Sequence, residues 1–428
     1  MKFLEIDEEI EDQKGIQYKA ETPLVLRIYD KLTESRTFRI NEISNKIEFK
    51  EKKSKHWLQM EDTELNSMWL DFQLDPEFKG REKPSDKILL RLINSNLTEK
   101  FNAINQYFLN NKYQGTGHIE ALAKTIIIDK IINDQNYNIY DEWFLLFKRW
   151  MVASVACMLG KSPNHVMLLL SGGQGIGKTT WLNRLCPPEL DKDYRVTGHI
   201  NPDLKDDNTA NFLAEKIFIN IDDQLDNIMN RDFNQIKSII TVDKINNRKK
   251  YAHFEKSRKR IANLIGSVNQ DRIFIDNENR RYLFLKVTDI DMNHNVNIDH
   301  VWAEVYQLLM NGERYYFNSE EIRKINLIND YFSKIPAEHE FFNMLYEAAE
   351  PTDPAAVFVQ FSEILSNIKN YSGLNMREHM LSISMKKIGM KSVSKRNANG
   401  YPRYVYPVKE KFTKDIATNK IMLMPIMG

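Results

Sequence analysis

Residues 172–179, Gly-Gly-Gln-Gly-Ile-Gly-Lys-Thr, follow the pattern G-x-x-x-x-G-K-[ST], which few folds can accommodate. The octet has a physical function only between a strand and a helix. There its glycines let successive N–H groups curl toward an anion, and the helix start adds its dipole. The flanks fit that context. His165 to Leu170 is a short apolar run, and Lys178 to Leu185 has helical character. In such a loop Gly172, Gly173, Gln174, Gly175, Ile176, Gly177, Lys178, Thr179 and the following Thr180 would surround the phosphates of a nucleotide. Lys178 would reach the β and γ phosphates and the Thr179 hydroxyl would ligate Mg²⁺, so ATP and Mg²⁺ are the expected ligands.

Further apolar runs follow at intervals suited to alternating strands and helices. They are Lys216 to Ile221, Ile261 to Val268 and Tyr282 to Val287, with Phe233, Ile236, Ile239 and Ile240 marking a helix among them. This alternation predicts an α/β fold with a parallel sheet.

Hydrolysis needs a carboxylate to orient the metal and a base for water. Asp222 and Asp223 close the second apolar run, Asp222 as the metal residue and Asp223 as the group that polarises water. Asn269 closes the third run, where an amide can sense the terminal phosphate. Arg280 and Arg281 open the fourth and are both candidates for a guanidinium offered to a neighbouring subunit. Between Asp243 and Ile261 lie Lys244, Arg248, Lys249, Lys250, Lys256, Arg258, Lys259 and Arg260 against the single acid Glu255. Tyr251, His253 and Phe254 are interleaved with them, a mixture suited to phosphates and bases.

The chain has 428 residues and a net charge of +1, so any nucleic-acid surface must be local. The first sixty or so residues read as mixed strands and turns, as in Thr37 to Lys50, and Asp62 to Gly160 as helical. Met151 to Gly160 is about half the ~20 residues of a membrane span and reads as a buried helix. The segment MKFLEIDEEIED lacks the layout of a signal peptide, and Cys157 and Cys186 form no ligand or disulfide pattern, so a reducing cytoplasm is expected. Acidic, proline-bearing sequence at Glu347 to Pro354 suits a linker. After it come two helical stretches, Ala356 to Lys369 and Met376 to Ile388, and a hairpin about Asn397 to Gly400. That order is the layout of a winged helix.

With these residues in order, the chain resembles the virulence-associated protein E-like family, itself similar to superfamily 3 helicases. The resemblance rests on Leu169 to Leu185, the I-N-I-D-D segment to Asp223, K-S-I-I-T followed by R-K-K-Y, G-S-V-N, and D-N-E-N-R-R-Y-L-F. It covers about residues 100 to 290. It implies an AAA+-like P-loop core, a hexameric ring with ATP between subunits, and movement on single-stranded or forked DNA. Asp223 replaces the family's more usual glutamate, and Asn277-Glu278-Asn279 replaces a threonine-glycine-asparagine turn. Many relatives carry an upstream primase. The N-terminal 100 residues are too few for one, so a primase would be a separate protein.

The expected organisation is thus an N-terminal mixed and helical assembly region (1–140), the ATPase core (141–300) and a helical, winged-helix-like end (301–428). The expected function is ATP-dependent DNA unwinding in replication of a phage, plasmid or genomic island. An ATP-driven switch or scaffold in an antiphage or regulatory system would use the same loop without unwinding. A small-substrate kinase would use it without needing the basic segment.

Overall fold

In the computed structural model the described residues are 23–128, 139–198, 200–222, 233–247, 256–269, 279–331, 337–396, 400–414 and 421–423. The chain divides into two compact units, Met1–Asn110 and Asn111–Gly428. The first contains α1 (Leu24–Ser35), β1 (Arg36–Asn41), β2 (Ile47–Glu51), β3 (Leu58–Gln59), α2 (Asp62–Leu74), α3 (Asp86–Ile93), β4 (Glu99–Phe101) and α4 (Ala103–Asn110). Its strands run in the order β3-β2-β1-β4, and Phe38 and Phe49 face each other across β1 and β2. Those rings join Ile28, Leu32, Phe72 and Phe78 in a separate small core. Arg39 lies over the rings of Phe101 and Trp57, at 3.5 and 4.1 Å, and pairs with Glu48 at 2.6 Å. Cation–π attraction and the ion pair together hold the open end of this sheet.

The second unit begins with α5 (His118–Ala123), β5 (Ile126–Ile128) and α6 (Ile139–Met158). It continues through β6 (Met167–Ser171), α7 (Lys178–Arg184), α8 (Pro188–Tyr194), β7 (Arg195–Thr197), α9 (Asp207–Glu215) and β8 (Phe218–Ile221). Then come α10 (Phe233–Thr241), β9 (Lys244–Asn247), β10 (Lys256–Lys259), β11 (Asn263–Val268), β12 (Tyr282–Ile290), α11 (Ile298–Met310) and α12 (Ser319–Tyr331). Six strands form one sheet in the order β5-β12-β6-β11-β8-β7. β6 pairs in parallel with β12 and β11, β11 with β8, and β8 with β7. Every residue of β6, β8 and β11 is buried, as strands covered by helices on both faces require.

The helical expectation for Asp62 to Gly160 misses two strands, β4 and β5. In β5, Ile126, Ile127 and Ile128 are β-branched and pair antiparallel with β12, closing the sheet edge. α6 lies in the core rather than in a membrane. Trp143 stacks on Phe147 at 5.0 Å, and Trp150 donates through Nε1 to the Val166 carbonyl at 2.9 Å. Among the described residues no helix is long and apolar enough to cross a membrane. Glu304 of α11 is buried because its carboxylate accepts three backbone N–H groups at the start of α5, from Gly117, His118 and Ile119.

Arg260, expected to face DNA, is a core residue with 1% exposure. Its guanidinium donates to the carbonyls of Ile239 (3.0 Å), Ile240, Ala262 (3.0 Å) and Asn164 (2.5 Å). It therefore satisfies the last carbonyls of α10 and ties them to the approach of β6. Buried and bonded to four carbonyls in this way, the guanidinium is not presented to a phosphate at the surface.

The remaining elements are α13 (Ala337–Leu345), β13 (Tyr346–Ala348), β14 (Val357–Val359), α14 (Phe361–Ser372), α15 (Glu378–Lys387), β15 (Val393–Arg396), β16 (Pro402–Glu410), β17 (Phe412–Lys414) and β18 (Ile421–Leu423). The expected linker at Glu347 to Pro354 begins as β13, which pairs with β16. The helix expected from Ala356 starts at Phe361, because Val357, Phe358 and Val359 pair with β16 first. Phe342, Leu345, Ile364, Ile368, Leu381 and Val408 form the core beneath these elements.

Arg260→Lys keeps the charge but loses the planar fork that reaches four carbonyls. It is expected to lower unfolding stability by about 3 kcal/mol in denaturant titration. Lys244→Ala, at the exposed start of β9, should stay within about 0.5 kcal/mol of the parent.

Candidate functional site

β6 ends at Ser171, and the chain passes directly through the glycine octet into α7. Gly175 and Gly177 take φ values of +85° and +91°, in the left-handed region where a side chain is strained. Gly172 is required by proximity: a Cβ there would lie 2.2 Å from the Val287 carbonyl oxygen of β12. At Gly173 the nearest atom would be 3.9 Å away, so that position is open.

Lys178 is the first residue of α7 and its side chain folds back over the loop, 6% exposed. Its ammonium donates to the carbonyls of Gly172 (2.8 Å) and Gly173 (2.7 Å) and to Oδ1 of Asn269 (3.1 Å). These acceptors offset the desolvation of a buried charge. Beside it, the Thr179 hydroxyl lies 3.5 Å from that of Ser267, and Ser267 donates to Oδ1 of Asp222 at 2.5 Å. Asp222 follows β8, Asn269 follows β11, and the loop follows β6. Three parallel neighbours thus deliver Lys178, Thr179, Asp222 and Asn269 to one edge of the sheet.

Ser267 was not among the expected site residues. It is a hydroxyl within the otherwise apolar end of β11, two positions before Asn269. That pattern was the available signal. Asp223 lies outside the described residues.

A cavity of about 470 Å³ opens beside α7, lined by Leu122, Thr180, Trp181, Arg184, His294 and Val296 among others. Arg184 among these residues donates to the Met292 carbonyl at 2.9 Å. Burial, assisted by the Arg184 charge, holds the His294 imidazole below its ordinary pKa and so favours its neutral form.

Arg280 and Arg281 lie at the other end of the sheet. They precede Tyr282, which pairs with Met167 at the start of β6, so the length of β6 separates them from the loop, on the order of 15 Å. They line a cavity of about 250 Å³ together with His165, Thr241, Tyr315 and Tyr316. The chain does not bring either arginine to its own Lys178.

The basic segment is divided. β9 and β10 pair antiparallel, with Lys244 opposite Lys259. Arg258 is not free for DNA as expected: it pairs with Glu215 at 2.6 Å and also bonds Asn211, both on α9. Lys259 is exposed but donates to the Gly160 carbonyl at 2.8 Å. Arg248, Lys249, Lys250, Tyr251 and His253 lie outside the described residues, as does the side chain of Lys256. Among the described residues no group of three or more His, Cys, Asp or Glu could hold a metal ion. Among the described residues at this edge, the Thr179 hydroxyl and the Asp222 carboxylate are oxygen donors of the kind that could hold a hard cation such as Mg²⁺.

The fold is that of a mixed α/β protein with a glycine-rich loop at the carboxyl edge of a largely parallel sheet. The chain belongs to the virulence-associated protein E-like family, whose domain model matches residues 111–334. No curated protein matches it. Two solved apo structures of the NrS-1 C-terminal region (305–718), one in an A form, are similar to it with a TM-score of 0.44. Each is 11% identical and covers 91% of this chain and 100% of its own. A further A-form apo structure of that region has a TM-score of 0.42 at 11% identity, with the same coverage of both chains.

Gly172→Ala should push the loop against the Val287 carbonyl and lower stability by about 1–3 kcal/mol. Gly173→Ala, with open space at its Cβ, should leave the melting temperature within a degree or two of the parent, on the order of 0.5 kcal/mol. Thermal unfolding of the two variants side by side tests the packing of the loop.

Proposed function

We propose that this chain is an ATP hydrolase that uses the reaction to move on nucleic acid, a superfamily 3-type motor with an AAA+-like core. The observation that carries the reading is the convergence of Lys178, Thr179, Ser267, Asp222 and Asn269 at one sheet edge. ATP is the substrate. The loop N–H groups and Lys178 would hold its phosphates, and the cavity beside α7 would take the nucleoside. Thr179 and Asp222 would hold Mg²⁺, with Ser267 fixing the Asp222 carboxylate. Bound there, Mg²⁺ would neutralise charge on the β and γ phosphate oxygens.

The remaining chemistry belongs to the chain. Asn269 would orient the attacking water and Asp223 would accept its proton. Arg280 or Arg281 would act on the site of the next subunit, because each is a sheet's length from its own. The basic segment about Lys249 and Lys250 would grip single-stranded or forked DNA. A hexameric ring, a winged-helix-like C-terminal module and a separate primase complete the reading, in replication of a mobile element.

ATP hydrolysis with and without single-stranded DNA tests it. Stimulation by DNA is expected, with loss of about 100-fold or more in Lys178→Ala. Hydrolysis indifferent to DNA would sink the motor reading and leave a switch or scaffold. Ser267→Ala should raise the Mg²⁺ concentration for half-maximal activity by about 10-fold, because Asp222 loses its fixed orientation. An unchanged Mg²⁺ requirement would remove Ser267 from the metal site.

A further inference from the structure

From Lys386 to Lys409 the sequence carries seven cations and no acid, in a chain whose net charge is only +1. The structure folds the centre of this stretch into the β15–β16 hairpin. Lys395 and Arg403 are directly opposite each other across its two strands, and so are Arg396 and Pro402, and Ser394 and Tyr404. Like charges directly opposite destabilise a strand pair, so the fold alone gives no reason to place Lys395 against Arg403. Lys395 is partly accommodated over the Phe358 ring at 3.0 Å. Among the described residues no acid pairs with Lys395, Arg396 or Arg403, whereas Lys409 at the base of the hairpin is bound to Asp353 at 2.7 Å. The unneutralised charge is therefore concentrated toward the tip.

Aromatic surface accompanies it. Tyr404 is 74% exposed and shares a face with Arg396, while Arg403 and Lys395 share the other. Tyr401, beside the tip, is 69% exposed. Lys391 and Lys386 extend the exposed charge back toward α15. Exposed cations on both faces of a two-stranded ribbon, with an exposed ring among them, match a flexible polyanion that can follow the ribbon and offer unstacked bases. A duplex exposes phosphates and base edges but no free base face for Tyr404.

We propose that the β15–β16 hairpin is a binding surface for single-stranded nucleic acid. Arg403, Lys395 and Arg396 contact the phosphates and Tyr404 stacks on a base. This surface is distinct from the β9–β10 segment and does not depend on the nucleotide reading, because its binding is measured without ATP.

The test uses the full chain and a fluorescent oligothymidylate, titrated at several salt concentrations. Arg403→Glu converts the like-charge pair into an opposite-charge pair. The melting temperature is expected to hold or rise, while affinity falls about 10-fold or more. The salt slope should shallow by roughly 0.7 for each phosphate that is no longer neutralised. Tyr404→Ala should weaken binding by about 10-fold and Tyr404→Phe should retain it, since stacking needs the ring and not the hydroxyl. Hydrolysis of ATP in the absence of DNA should match the parent in all three. If Arg403→Glu lowers the melting temperature, Arg403→Gln takes its place with the same expectations. Affinity and salt slope equal to the parent's would overturn the proposal, as would a loss confined to duplex DNA. A loss seen in Lys249→Glu/Lys250→Glu but not in the hairpin variants would overturn it too, by assigning all binding to the other segment.

Discussion

The second unit depends on the confinement of β6. This strand has parallel neighbours on both sides and is buried on both faces, so its chain can leave only at its ends. At the carboxyl end the exit is narrow, because the Val287 carbonyl already occupies the space a side chain at residue 172 would need. The glycine loop is therefore a packing solution, whatever ligand it holds. The same parallel order brings the ends of β8 and β11 beside it, and with them Asp222, Ser267 and Asn269.

Much of this core is legible in the residues because a strand buried on both faces must be mostly apolar. The runs at 165–170, 216–221, 261–268 and 282–287 became β6, β8, β11 and β12 for that reason. β5 and β14 are harder to read. Each has three residues, and each forms only because β12 or β16 presents an unpaired edge to it. An isolated triplet of isoleucine or valine carries no such information, since the partner lies far away in sequence.

The convergence of the candidate residues was legible where they close a strand, and the placement of the cations was illegible because charge alone does not decide burial. Arg258 and Arg260 sit in a run of cations and share its composition, yet one is paired to α9 and the other lies in the core. The only sequence cue is position: Arg260 directly precedes the apolar Ile261-Ala262, at the point where the chain enters the sheet. Ser267 is hard to read for the opposite reason, as a small polar residue inside an apolar run. Its significance comes from Asp222, 45 residues away, and only the pairing of β8 with β11 brings the two together.

β12 also has a structural consequence. Near one end its Val287 carbonyl abuts Gly172, and Arg280 and Arg281 immediately precede its other end. From Tyr282 to Lys286 the strand is held to β6 by a parallel ladder, and from Val287 onward it is held to β5 instead. One continuous strand thus runs from the arginine pair to the carbonyl that fixes the glycine loop, so the two ends of the sheet share a single structural member.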